Sequence, residues 1–212
     1  MHDIFTSADI LLPDFGKYTP YQWSVIACDQ FTGDADYWKE TAETVGENPS
    51  ALNLILPEIY LEMPDVDRKI DDIHSHMKEY LNNGIFQKYE NAMIYTERIQ
   101  SNGILRAGVI GKIDLEAYDY HKGSQSPVRA TEATVLERIP PRMKVRTGAP
   151  LELPHIMILI DDPENKAIGT CTNAKNAMQK LYSTNLMQKG GKIDGFLMNA
   201  EQQKIFLDAL AD

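Results

Sequence analysis

The chain has 212 residues, 43% hydrophobic and 25% charged, an ordinary composition for a soluble globular protein long enough to bury a core. Its 31 acidic and 21 basic residues leave a formal net charge of −10, which excludes a broad nucleic-acid surface because phosphate contact drives such binding. No apolar run approaches the roughly 18 residues of a membrane span, and two cysteines, Cys28 and Cys171, are too few for a disulfide framework and lack metal spacing.

The N-terminus MHDIFTSADILLPDFG has no basic start followed by an apolar block, so no signal peptide and a cytoplasmic protein with reduced thiols are expected. LLPDFGKYTPYQW (11–23) has no period and predicts an ordered coil across the core. Ser24 to Cys28 reads as a short buried strand that delivers Asp29 and Gln30 to its C-terminal end, where open α/β sheets place ligand groups, although Asp29 reads more simply as the start of the turn at Phe31-Thr32-Gly33. Asp34 caps a helix to about Val45 with Tyr37, Trp38, Ala42 and Val45 inward. Leu52 to Leu56 reads as another strand. Asp65 opens the clearest helix, with Val66, Ile70, Ile73, Met77, Tyr80 and Leu81 at spacings of three and four, ending at Gly84. His74 and His76, two apart on that helix, point to different sides and cannot share a metal.

Asn91 to Gln100 and Ile104 to Asp114 flank Ser101-Asn102-Gly103 and predict a β-hairpin. Tyr118 to Ser126 is a polar loop. Ala130 to Arg138 allows one or two helical turns, stopped by Pro140 and Pro141, although proline also suits the first turn of a following helix. His155 to Ile160 (HIMILI) is the most strand-like central run and ends in Asp161-Asp162-Pro163, which reads as turn chemistry rather than a cation site. Asn173 to Leu181 reads as a helix, Lys192 to Met198 as a strand, and Asn199 with Gln202 as the capped start of a final helix. The expected fold is α/β or α+β, a single domain over 1–212: a mixed sheet of about six strands, from the runs near 24, 52, 92, 104, 156 and 192, covered by four or more helices.

The charge is uneven. Residues 121–146 hold six of the 21 basic residues and two of the 31 acidic ones, a balance of +4 against −14 for the remainder. A positive segment in an acidic protein points to a local task, either holding an anion or pairing with carboxylates at an internal interface. In a continuous helix Thr134, Arg138 and Arg142 would stack at four-residue steps, and with Arg129 they form the candidate anion site, since guanidinium groups stay charged and donate in pairs. Glu132 beside them would stay ionised, as a base, a metal ligand or an arginine partner. Asp29, Gln30, His155 and Asp161 would line a cleft if the strand ends share a sheet edge. Lys189-Gly190-Gly191-Lys192 lacks the spacing and following helix of a phosphate loop and reads as a helix-to-strand turn. No HExxH, GxSxG or GxGxxG occurs, which removes support for zinc hydrolase, serine hydrolase and Rossmann readings.

SVIACDQF (24–31), SALNLILPEIYL (50–61), KGSQSPVRATEATVLERIPPR (122–142) and GAPLELPHIMILIDDP (148–163) resemble, in order, the uncharacterised bacterial and archaeal family called domain of unknown function 1015. The resemblance places the family's acidic-plus-hydroxyl signature on Glu132 and Thr134, followed by Arg138 and Arg142. Other branches carry a histidine just before the glutamate, where this chain has Thr131. Members are usually longer, with a downstream Gly-Asp-Gly-Asn-His motif that does not occur in this chain and is similar to ParB/sulfiredoxin-like proteins, some of which are small-molecule kinases. The resemblance therefore implies the N-terminal part of a nucleotide-binding or small-molecule phosphoryl-transfer protein, with a nucleotide as cofactor and a phosphorylated or anionic ligand as partner. The alternative is a noncatalytic module that docks an acidic partner or its own missing C-terminal half. A surface that normally meets more protein also predicts an exposed apolar patch, or a self-association that covers it.

Overall fold

The computed structural model describes residues 4–26, 33–131, 136–153 and 155–211. Six α-helices and ten strands are found among them. The mixed α/β class holds, with the strands divided between one four-stranded antiparallel sheet and three two-stranded pairs.

The sheet grows from the expected hairpin. Strand β4 (Ile94–Ile99) turns at Asn102-Gly103 into β5 (Leu105–Ile110), with the Ile104 N–H bonded to the Asn102 side-chain oxygen at 3.0 Å. The other edge of β4 takes β10 (Lys192–Leu197), whose outer edge takes β9 (Gln179–Asn185). Helices α5 (Ala167–Ala174) and α6 (Ala200–Ala211) join the core of this sheet, where Met93, Tyr95, Phe196 and Met198 meet Cys171 and Phe206. The start of α6 is the reciprocal cap that the sequence predicts: the Gln202 N–H donates to Asn199 Oδ1 and the Asn199 N–H to Gln202 Oε1, both at 2.9 Å.

Smaller ribbons surround the sheet. β2 (Ala8–Pro13) pairs antiparallel with β3 (Phe86–Ala92), and β1 (Phe5–Thr6) with β6 (Lys112–Ile113). The coil expected over 11–23 is thus partly strand, and it ends in the short helix α1 (Pro20–Trp23). Helix α2 (Ala35–Val45) is capped by Asp34, whose carboxylate accepts from the Tyr37 N–H at 2.9 Å. It buries Thr41 in place of Ala42, because 37, 41 and 45 lie one above another at four-residue steps. Helix α3 (Val66–Asn82) buries Ile70, Ile73, Met77 and Tyr80 but leaves Leu81 exposed. Asp65 precedes α3 without capping it through its side chain, which instead binds Arg68 at 2.9 Å. Helix α4 (Ile139–Arg146) carries Pro140 and Pro141 in its first turn, where missing N–H groups cost nothing, and packs Val145 into the α3 core. His74 joins the two helices by donating Nε2–H to the Val145 carbonyl at 2.7 Å.

Among the described residues, three expected strands do not form. Ser24 to Ile26 is coil, held where the Ile26 N–H donates to the Tyr37 hydroxyl at 3.2 Å. Leu52 to Leu56 begins inside a 3-10 turn, Ala51–Leu54, because Ser50 Oγ caps the Leu52 N–H at 3.2 Å. Residues 155–160 belong to no sheet and are exposed. The helix expected over 173–181 starts earlier, at Ala167, and gives way to β9. Asp162 sets that start: its carboxylate accepts from the N–H groups of Lys166 at 2.7 Å and Ala167 at 2.9 Å. No helix among the described residues is long and apolar enough to cross a membrane.

The sheet also buries charge. Glu97 is 7% exposed; it accepts from the Tyr95 hydroxyl at 2.8 Å and from Lys175 Nζ at 2.8 Å on both oxygens. Thr172 of α5 shares the Tyr95 hydroxyl at 2.8 Å, so the network pins the helix to the sheet. Burial first, and then the Glu97 carboxylate, hold Tyr95 protonated well above the ordinary tyrosine range. Glu97→Ala should therefore destabilise the fold by about 1.5–3 kcal/mol, the range for hydrogen bonds to charged groups. Urea unfolding measures this, and an unchanged midpoint would remove the network from the account of stability.

Candidate anion site

The positive stretch begins in a loop closed by its own polar groups. β7 (Tyr118–Asp119) and β8 (Val128–Arg129) pair in parallel, placing Asp119 beside Arg129. Between them Gly123 turns the chain, the Ser126 N–H donates to Ser124 Oγ at 3.0 Å, and the Ser126 hydroxyl donates to the Ala117 carbonyl. Asp119 Oδ1 accepts from the His121 backbone N–H at 3.0 Å and from His121 Nδ1 at 2.6 Å. The imidazole stacks on Tyr120 with centroids 4.4 Å apart. With Nδ1 so engaged, Nε2 is the free nitrogen of a side chain that is 72% exposed. Lys122 and Arg129 are exposed in the same loop.

The later cations of the stretch face carboxylates. Arg142 pairs with Glu58 at 3.3 Å, Lys144 with Asp67 at 2.7 Å, and Arg146 with Glu152. Arg142 and Lys144 thereby tie α4 to the segments before and within α3. A groove of about 570 Å³ runs between these helices, lined by Asp67, Asp71, His74, Pro140, Met143 and Lys144. Its two aspartates make it a poor receptacle for an anion. Arg138 ends the 3-10 turn Leu136–Arg138 and Arg142 lies in α4. Glu132 and Thr134 lie outside the described residues, as does the side chain of Arg138.

The expected cleft is only partly placed. Asp29 and Gln30 lie outside the described residues. His155 and Asp161 are exposed and bracket 156–160, which enters no sheet and so brings neither residue to a strand end. Among the described residues no three His, Cys, Asp or Glu side chains cluster to hold a metal ion.

Lys189-Gly190-Gly191-Lys192 joins two strands, β9 and β10, rather than a helix and a strand. Gly191 has φ +92, and a Cβ there would run into the Ile99 carbonyl oxygen. The Arg98 guanidinium donates to the Gly190 carbonyl at 3.1 Å and braces the turn from β4. These glycines serve close backbone packing. Gly191→Ala should cost more than about 1 kcal/mol in urea unfolding, beyond the usual gain from restricting the unfolded chain.

Asp119 and His121 were not singled out by sequence reasoning; the available signal was the Asp-x-His spacing at the entrance to the basic stretch. Their coupling has a titration signature. Hydrogen bonds from the His121 backbone, Ser124 and the His121 ring hold the Asp119 carboxyl down at about 2, against an ordinary 3.8. A depressed carboxylate contributes order above its unfolded pKa and loses it as pH falls through the folded one. An NMR titration should give Asp119 a midpoint near 2, moving up toward the ordinary value in His121→Ala; a wild-type midpoint already at the ordinary value would mean the pair does not form.

No curated protein and no solved structure matches the chain. Residues 14–207 match the family described as "Protein of unknown function (DUF1015)", and the chain belongs to that family.

Proposed function

We propose that the chain binds a small phosphorylated ligand, nucleotides included, at the 119–131 loop, as part of a protein that transfers phosphoryl groups. The observation that carries this reading is the ladder pairing of Asp119 with Arg129, which gathers a guanidinium and an oriented histidine in an exposed loop within the +4 stretch. Arg129 supplies a charge-assisted, two-pronged donor for phosphate oxygens, and Lys122 adds a point charge. Asp119 fixes the His121 ring through Nδ1, so that Nε2 can take the proton of an attacking hydroxyl. Thr134 and Arg138 follow as further ligands, and Glu132 is the candidate base or arginine partner. Arg142 would contribute by exchanging Glu58 for the ligand.

A second reading is a noncatalytic docking module. It draws support from the exposure of Leu136, Ile139 and Met143 around the start of α4. An acidic partner would have to displace Glu58, Asp67 and Glu152 from the cations they already hold.

Calorimetric titration with inorganic phosphate, nucleotides and sugar phosphates separates the two readings. Arg129→Ala should weaken binding roughly ten- to a hundredfold, the equivalent of one charged hydrogen-bonded contact, at an unchanged melting temperature. Arg142→Ala should lower the melting temperature slightly, because it removes the Glu58 contact that helps hold α4 against the segment before α3. Wild-type protein that binds none of these ligands would remove the phosphate reading and leave the docking module.

A further inference from the structure

The longest apolar run of the chain is exposed. Ile156, Met157, Ile158, Leu159 and Ile160 are 39–77% exposed and belong to no helix or sheet. The chain leaves the α3 core near Leu153 and enters the sheet core at Ala167, so this segment spans the outside between two buried anchors. Five consecutive large apolar side chains make a patch that monomers rarely present to water. Their β-branched content and lack of polar alternation suit a strand covered on both faces.

The order of these residues identifies the partner. Laid antiparallel against its own copy about a two-fold axis through Ile158, the segment matches itself residue for residue. Ile156 faces Ile160, Met157 faces Leu159, and Ile158 faces Ile158. Met and Leu are close enough in volume to exchange in a packed core at small cost. At each end His155 of one copy faces Asp161 of the other, a donor against a carboxylate, and both side chains are exposed. Pro154 and Pro163 bound the run and lack the N–H groups that would extend a ladder. An interface about a two-fold axis must be complementary to itself, and this sequence is.

We infer that residues 155–161 form an antiparallel intermolecular strand pair and that the partner is a second copy of this chain. Pairing satisfies the backbone donors and acceptors of the segment and removes its apolar side chains from water. Residues 156, 158 and 160 from both copies form one face of the ribbon, and 157 and 159 the other. The bodies of the two copies cover those faces, since an isolated two-stranded ribbon is marginal in water.

Light scattering across about micromolar to about millimolar protein tests the association. The wild type should have twice the chain mass at the upper end, and Ile158→Asp, which sets two carboxylates opposite each other at the axis, should return it to one. Ile158 is 44% exposed, so the variant should keep the wild-type circular dichroism spectrum. Cysteine crosslinking fixes the register independently of that variant, in a Cys28→Ser background with the buried Cys171 retained. Residue 158 meets its own copy at about 5 Å between Cα atoms, within disulfide reach, so Ile158→Cys should oxidise to a covalent dimer. Met157→Cys alone sits about 8 Å from its counterpart, beyond reach, and should not. Mixing Met157→Cys with Leu159→Cys should restore the crosslink. A wild type that stays monomeric throughout assigns the segment to a different protein and overturns the proposal. So does a dimer that survives Ile158→Asp, or one that crosslinks through 157 alone as readily as through 158.

Discussion

Two buried carboxylates stand opposite each other in the middle of the sheet, and the packing around them follows from how they are neutralised. The β4–β10 ladder sets Glu97 against Asp194, and both are less than a tenth exposed. Like charges facing each other across a strand pair are destabilising. Here Lys175 closes on Glu97 at 2.8 Å, while Lys180 and Lys192 each reach Asp194 at 3.2 Å. Burial alone would raise the Asp194 pKa, yet Ser183 and the two lysines bring it below the ordinary value. The cations come from the turn after α5, from β9 and from β10 itself. The charges therefore tie the sheet to its covering helix and fix the position of the edge strand. Lys180 also lies 5.1 Å from the centre of the Phe196 ring, which joins this charged strip to the apolar core.

Charge plays a different part in the basic stretch. Arg142, Lys144 and Arg146 sit on one short helix and each meets a carboxylate of the same chain, with most of these side chains well exposed. Exposed pairs contribute little to stability individually, so their effect is chiefly to set where α4 lies. His74 and Val145 do the same from the buried side. Lys122 and Arg129 lie earlier, exposed in the loop where the strand of Arg129 pairs with that of Asp119. The segment thus divides into a structural half and a half with exposed donors, a division that net charge alone does not reveal.

Elements whose signals are local were legible in the sequence. Asp34, the Asn199–Gln202 cap, the Asn102-Gly103 turn and the apolar stripe of α3 each act within a few residues, and each appears in the fold. Apolar runs were less informative, because a run shows that residues avoid water without showing what covers them. Leu54 is fully buried inside a 3-10 turn, whereas His155 to Ile160, read as the most strand-like central run, lies outside every sheet among the described residues. β9 was hidden for another reason. Its sequence QKLYSTN has weak alternation, and its place is set by partners distant in sequence, above all Gly195, which leaves room for the Tyr182 ring. Of the candidate site, the stretch itself was visible from charge. The Asp119–His121 pair was not, because its Asp-x-His spacing becomes a contact only when the turn closes.

The proposed anion site rests on the exposed donors between Asp119 and Thr131. The most direct measurement is a map of backbone amide shifts as inorganic phosphate is added to the isotopically labelled chain at constant ionic strength. Saturable changes confined to residues 119–131 and the segment that follows are the predicted result. Changes that never saturate, or that spread evenly over the lysines of β9, β10 and α4, would contradict it.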